Sequence, residues 1–214
     1  MTFHLFERFG IEIEFAVVDR STLRVAPVVD RILREAASLP GARVESESVH
    51  GWPDEIALGP ITIGNELTAH VLELKVSEPA PTLEGLADPF AAALASLRPT
   101  LDGLGVRLLP SGMHPTMDPD REMILWPHGN SDVYAAFDRI FGCKGHGWAN
   151  LQSCHLNLPF ATDEEFGRLH AAIRALLPIM PALSASTPFM DGRATGLMDN
   201  RLEVYRLNSR RVPQ

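Results

Sequence analysis

At 214 residues, with 45% hydrophobic and 21% charged side chains, the chain has the make-up of a folded globular protein with room for one sizeable core. Its formal net charge of -8, from 27 acidic against 19 basic residues, and the lack of a Lys/Arg stripe argue against nucleic acid as a partner. Two cysteines are too few for a disulfide framework, no stretch approaches a membrane-spanning length, and the first residues lack a signal-peptide pattern, so a single cytoplasmic domain over 1–214, away from membranes, is expected.

In chain order, FGIEIEFAVVD alternates and predicts a strand with Glu12 and Glu14 on one face and Ile11, Ile13 and Phe15 on the other. Val29, Ile32, Leu33 and Ala36 follow a helical period that ends at Pro40-Gly41. Residues 41–65 carry Gly, Pro and Ser without strong periodicity and predict irregular structure with short strands. HVLELKV, 70–76, predicts a second strand. Leu83 to Leu104 predicts a helix with Pro89 and Pro99 as points of interruption, and Val106–Leu109 a further strand. Four prolines between Pro110 and Pro127 mark a long loop of the kind that often serves function. Asp132–Phe141 is weakly helical, Trp148–Leu158 alternates as a strand, and Thr162-Asp163-Glu164-Glu165 matches a capping box opening a helix that runs to Pro178. Interleaved strands and helices, with polar faces on several strands, predict an α+β fold: an antiparallel sheet with helices on one face and a cavity on the other.

Glu12 and Glu14 sit two apart on a strand, which puts their carboxylates on one face roughly 7 Å apart. Like charges that close are relieved by solvation, by protonation, or by a hard divalent cation. Glu73 and Lys75 repeat the arrangement, with Glu66 seven residues before Glu73. That odd spacing points the two glutamates to opposite faces of a regular strand, so joint metal binding needs a bulge, or Glu66 in the preceding loop; a helix would instead align Glu66, His70 and Glu73. Ser153, His155 and Asn157 share the polar face of their strand. Cys143, His146, Cys154 and His155 loosely imitate zinc spacing, and a Cys–His nucleophile pair is a further alternative, but nothing marks an oxyanion hole or a phosphate-binding glycine loop. Arg193 and Arg201 offer bidentate contact with phosphate or carboxylate, or else a solvated basic tail.

Taken in order, these segments resemble the glutamate-cysteine ligase family of the bacterial carboxylate-amine ligase type. FGIEIEF is similar to the family's opening Gly-x-Glu-x-Glu-Phe strand, and NELTAHVLELKV to its strand with glutamates seven apart. LLPSGMHP resembles the strand ending in Gly-x-His-Pro, QSCHLNLPF the histidine strand, and ALSASTPFMDG with Arg201 the Ala-Leu-Ser-Ala-Ser-x-Pro-Phe segment and its following arginine. The resemblance implies a glutamine-synthetase-like fold with a curved antiparallel sheet, and ATP-dependent joining of glutamate to cysteine or another amine through an acyl phosphate, as in glutathione biosynthesis. It implies Mg2+, or Mn2+, held by Glu14, Glu66 and Glu73, with Glu12 and His155 on a second ion at the ATP phosphates. It also implies ATP contacts from His155, Asn157 and Arg201, catalytic roles for Arg201 and Arg193, and small-molecule partners with a homo-oligomer left open. Two departures stand out. The histidine strand, often His-x-His in the family, here reads Ser153-Cys154-His155-Leu156-Asn157 and offers one histidine, and the closing NSRRVPQ reads as cut in mid-motif, before a further glutamate and arginine that the family supplies later. A non-catalytic metal- or partner-binding fragment is therefore the alternative.

Overall fold

The computed structural model describes residues 2–208. Its sheet contains β1 (Gly10–Asp19), β2 (Ala42–Glu47), β3 (Pro53–Leu58), β4 (Ile61–Asn65), β5 (Val71–Val76), β6 (Val106–Leu109) and β7 (Cys154–Asn157). All pair antiparallel in the order β2-β3-β4-β5-β1-β6, with β7 joining β1 beside β6. The helices are α1 (Val29–Ala36), α2 (Ala87–Gly103), α3 (Pro119–Glu122), α4 (Ser131–Phe141), α5 (His146–Ala149), α6 (Asp163–Leu176), α7 (Met180–Ser184) and α8 (Arg201–Asn208). A short hairpin, β8 (Phe189–Met190) and β9 (Arg193–Ala194), stands apart from the main sheet.

Strand alternation sorts the side chains. Val17, Ile56, Ile63, Leu72 and Leu74 turn to one face, where Ile32 and Leu33 of α1 and Phe90 and Leu97 of α2 cover them, and each of these residues is buried. Removing such apolar surface from water at about 25 cal/mol per Å² is the main force holding helices to sheet. The opposite face keeps the charged residues, which gives the expected α+β layering.

Three expectations change. Residues 41–65 form three short strands joined by hairpin turns at Gly51 and Gly59-Pro60, where both glycines have positive φ, 73° and 66°, and the expected irregularity is confined to register shifts of β2 against β3 between Val44 and Glu47. Helix α2 runs unbroken through Pro99. Pro89 falls in its first turn, where N–H groups have no intrahelical partner anyway, and Pro99 lies on an exposed face where water can reach the freed Ala95 carbonyl. The strand expected over Trp148–Leu158 shrinks to Cys154–Asn157: β6 already occupies the β1 edge from Ala16 to Asp19, where residues 148–151 would otherwise pair, and residues His146–Ala149 make one helical turn instead.

The capping box at α6 forms. Thr162 Oγ1 accepts from the Glu165 N–H at 3.2 Å, while the Glu165 carboxylate reaches back to the Ala161 N–H at 2.8 Å. No described helix is long and apolar enough to cross a membrane.

Candidate metal centre

The exposed side of the sheet carries two rows of side chains in register. One runs His155, Glu12, Lys75, Thr62; the other runs Glu14, Glu73, Gly64, Glu55. Glu66 lies in the loop between β4 and β5, so it escapes strand alternation and turns toward Glu73. Carboxylate oxygens of Glu14, Glu66 and Glu73 all fall within 4.8 Å of one another, and among the described residues this is the one cluster of three or more His, Cys, Asp or Glu side chains so arranged.

Three carboxylates that close need compensation, and the protein supplies little. Lys75 Nζ lies 2.6 Å from Glu55 and 3.3 Å from Glu73, so one ammonium is shared between the trio and a fourth acid. Burial works against the Lys75 charge, but Glu55 and Glu73 hold its pKa above the ordinary value. Burial is also the first cause raising Glu73 to about 7, with the charges of Glu66 and Glu12 adding to it and Lys75 opposing. Burial and the Glu14 charge raise Glu66. Burial raises Glu14 likewise, against the Ser153 N–H that donates to its Oε2 at 2.9 Å. The group therefore favours a proton or a cation among its oxygens. An all-oxygen donor set suits a hard divalent ion such as Mg2+ or Mn2+.

Glu12 is engaged differently. Its Oε2 accepts from His155 Nδ1 at 2.8 Å and its Oε1 from Asn157 Nδ2 at 2.8 Å. That contact fixes the proton on Nδ1 and leaves Nε2, 3.9 Å from Glu14, as the nitrogen free to act as a ligand. Burial lowers the His155 pKa, but the bond the imidazole donates to Glu12 and the charges of Glu14, Glu12 and Glu73 outweigh it and raise it. Two clefts flank the acidic rows. One of about 430 Å³ abuts Glu14 and Glu66, and one of about 440 Å³ abuts Glu12, Lys75, Arg8 and Asn157.

Arg201 and Arg193 stand elsewhere. Arg201 heads α8 and grips Asp199 through Nε and Nη2 at 3.1 and 2.5 Å, with Nη2 also donating to the Ser184 carbonyl at 2.6 Å. Its guanidinium lies so close to Gly112 that a Cβ there would meet Nη1 at 2.6 Å. Arg193 is exposed in the β8–β9 hairpin, and neither arginine lines either cleft. The zinc-like set does not assemble. Cys143 is buried with its thiol pushed up to about 11 by burial and Asp138, Cys154 is exposed, and His146 is bonded to Asp191 and Asn150.

Some residues escaped sequence reasoning. Tyr134 of α4 accepts from Asn65 Nδ2 at 3.3 Å, and burial followed by the Glu66 charge raises its pKa, placing a phenol beside the acidic trio. Asn150 clamps the His114 backbone from both sides, accepting its N–H at 2.7 Å and donating to its carbonyl at 2.9 Å. His70, weighed in the sequence as a helix-face partner of Glu66 and Glu73, instead precedes strand β5, is fully buried and bonds the Ala149 carbonyl through Nε2 at 2.9 Å. Neither Tyr134 nor Asn150 has a local pattern that announces it.

The profile of glutamate-cysteine ligase family 2 (GCS2) matches residues 8–214, which include the acidic trio, Glu12 and His155. The chain belongs to this family. It is 35% identical over 205 residues to an uncharacterized protein of Archaeoglobus fulgidus, covering 96% of this chain and 52% of that one. It is 28% identical over 198 residues to a Rubrobacter xylanophilus protein named "Putative glutamate--cysteine ligase 2-3", covering 92% and 48%, and 28% identical over 196 residues to a Corynebacterium glutamicum protein named "Putative glutamate--cysteine ligase 2", covering 92% and 46%. This GCS2 chain thus spans about half the length of the curated relatives it matches. The motif-like ending NSRRVPQ, from Ser209 onward, lies outside the described residues.

Proposed function

We propose that the protein is an ATP-dependent carboxylate-amine ligase, joining the γ-carboxylate of glutamate to an amine through an acyl phosphate, on a glutamine-synthetase-like curved sheet. The observation that carries this reading is the convergence of Glu14, Glu66 and Glu73 within 4.8 Å on an open sheet face between two clefts. Magnesium or manganese held by this trio would neutralise phosphate charge and align the transferring group, which is most of what phosphoryl transfer asks of a protein. The side chains themselves set the geometry. Lys75 restrains Glu73, the Ser153 N–H restrains Glu14, and Glu12 with Asn157 orients the His155 ring toward the same face. Arg8 and Lys75, the cations lining the cleft beside Glu12, favour it for the ATP phosphates, with Asn157 as a further contact. In the two steps, a γ-carboxylate oxygen takes the terminal phosphoryl and ADP leaves; the amine nitrogen then bonds the acyl carbon, inorganic phosphate departs and a proton goes to water.

The test is ADP release by the protein in the length its gene encodes. Release should need ATP, Mg2+, glutamate and an amine together, and Glu14→Gln should abolish it; glutamate-independent release, or normal release by that variant, overturns the reading. The second reading, a metal-binding module without turnover, is favoured by Arg201, which Asp199 and the Ser184 carbonyl already hold and which lines neither cleft. It is the outcome if Mg2+ binds and no ADP forms.

A further inference from the structure

Glu66 owes its place in the trio to a loop, and that loop is held from the reverse side of the sheet. Gly64 pairs with Glu55 and Glu73 in the acidic row, so Asn65, the last residue of β4, turns to the opposite face, where Tyr134 packs against the hydrophobic core. Asn65 Nδ2 carries two protons, one for the Tyr134 hydroxyl at 3.3 Å and one for the Glu66 carbonyl at 3.2 Å. Further along, main-chain bonds fasten the loop to the 124–126 segment. The Trp126 N–H donates to the Leu67 carbonyl at 2.9 Å, the Ala69 N–H donates to the Ile124 carbonyl at 2.9 Å, and Thr68 bridges to Leu125. The residue that carries the carboxylate lies at the other end of the loop. Its support there is a side chain, Asn65, itself steadied by the phenol of α4.

A bound cation needs its ligands held to within about half an ångström, and the groups behind the ligands supply that precision. Glu14 and Glu73 are opposite partners in the β1–β5 ladder, which fixes them directly. Glu66 lies outside the ladders, so its carboxylate joins theirs only while its main chain keeps one orientation. We infer that Asn65 and Tyr134 are positioning residues of the metal centre: they fix the Glu66 main chain from behind the sheet and so keep its carboxylate turned toward Glu14 and Glu73. This rests on the metal-binding part of the ligase reading above. Both residues act through Glu66 rather than on the cation. The Tyr134 hydroxyl serves as an acceptor for Asn65, so its removal, with the ring left in place, should be felt at the trio.

Tyr134→Phe keeps the packed ring and removes the acceptor. In calorimetry on the 214-residue chain its Mn2+ affinity should fall about tenfold, the lower end of what such supports are worth, with Tm in EDTA within about 4 °C of wild type. Asn65→Leu should lower the affinity at least as far. Added to Asn65→Leu or to Glu66→Gln, Tyr134→Phe should cost less than about twofold more; added to Glu14→Gln, where Glu66 is still a ligand, it should keep its full effect. Hydrogen exchange in EDTA gives a readout without metal: Tyr134→Phe should speed exchange of residues 65–70 at least about threefold and leave β7 unchanged. Wild-type Mn2+ affinity in Tyr134→Phe, or an undiminished loss in the Glu66→Gln background, overturns the inference and leaves the ligase reading standing. A wild-type chain that binds no Mn2+ overturns the metal site of that reading instead. Exchange then decides whether the pair holds Glu66: faster exchange of 65–70 in Tyr134→Phe sustains it, and unchanged exchange refutes it.

Discussion

Glu73→Gln is expected to stabilise the metal-free protein at alkaline pH and to destabilise it, relative to wild type, once Mg2+ is added. Glu73 titrates at about 7 in the folded chain against 4.5 as a free side chain, chiefly because it is buried beside Glu66. A folded-state pKa that is raised means the native protein holds the proton more tightly than the unfolded one. Its stabilising effect is complete below about pH 4.5 and is lost as pH rises through 7. At ~1.4 kcal/mol per pH unit the full loss is at most about 3 kcal/mol. Glu66 and Glu14 redistribute a shared proton, so roughly 1–2 kcal/mol, or about 2–8 °C in Tm, is expected for removing the charge as Gln. Thermal unfolding in EDTA should therefore place Glu73→Gln above wild type at pH 8 and level with it at pH 4.5. Mg2+ at a hundred times its Kd adds ~2.7 kcal/mol to a protein that binds it, so at pH 8 the order should invert, wild type above variant. A variant less stable than wild type in EDTA at pH 8, or equal stabilisation of both by Mg2+, refutes the reasoning.

Other consequences follow from the same geometry. Calorimetry should find Mg2+ and Mn2+ affinity lowered at least about tenfold by Glu66→Gln or Glu14→Gln, while Glu55→Gln, outside the trio, changes it little. Metal affinity should fall as pH drops from 8 to 6, because protons compete for Glu73. His70, whose pKa burial lowers to about 4, must stay neutral in the fold; stability should decline as pH falls from 6.5 toward 4, and His70→Gln should flatten that decline at a cost of ~1–3 kcal/mol at neutral pH. Trp126→Phe removes the indole N–H that donates to buried Asp54 at 3.3 Å and should cost about 1–3 kcal/mol in urea unfolding. Thr162→Ala should cost ~1 kcal/mol through the lost α6 cap.

Local pattern was enough wherever one residue and its near neighbours decide the outcome. The alternation around Glu12 and Glu14 places both on one face of β1, the 70–76 alternation gives β5, and Thr162 with Glu165 opens α6, because strand period and helix capping are set within a few residues. The order of the glutamate and histidine segments also sufficed for the family. What the sequence left open was how distant segments meet. Spacing alone could not say whether Glu66 shares a face with Glu73; its place in the β4–β5 loop brings it round. Nothing in the chain order says that Lys75 is shared with Glu55 or that Glu12 spends both oxygens on His155 and Asn157, since those partners are 20, 143 and 145 residues apart. Nor does the place of Arg201 in the last segment reveal that Asp199 already holds it. β7 is short for a reason outside its own residues, the prior claim of β6 on the β1 edge. Periodicity encodes which way a side chain points. Which charges share a pocket, and so which carboxylates need a cation, depends on strand register and burial, and these exist only once the sheet has formed.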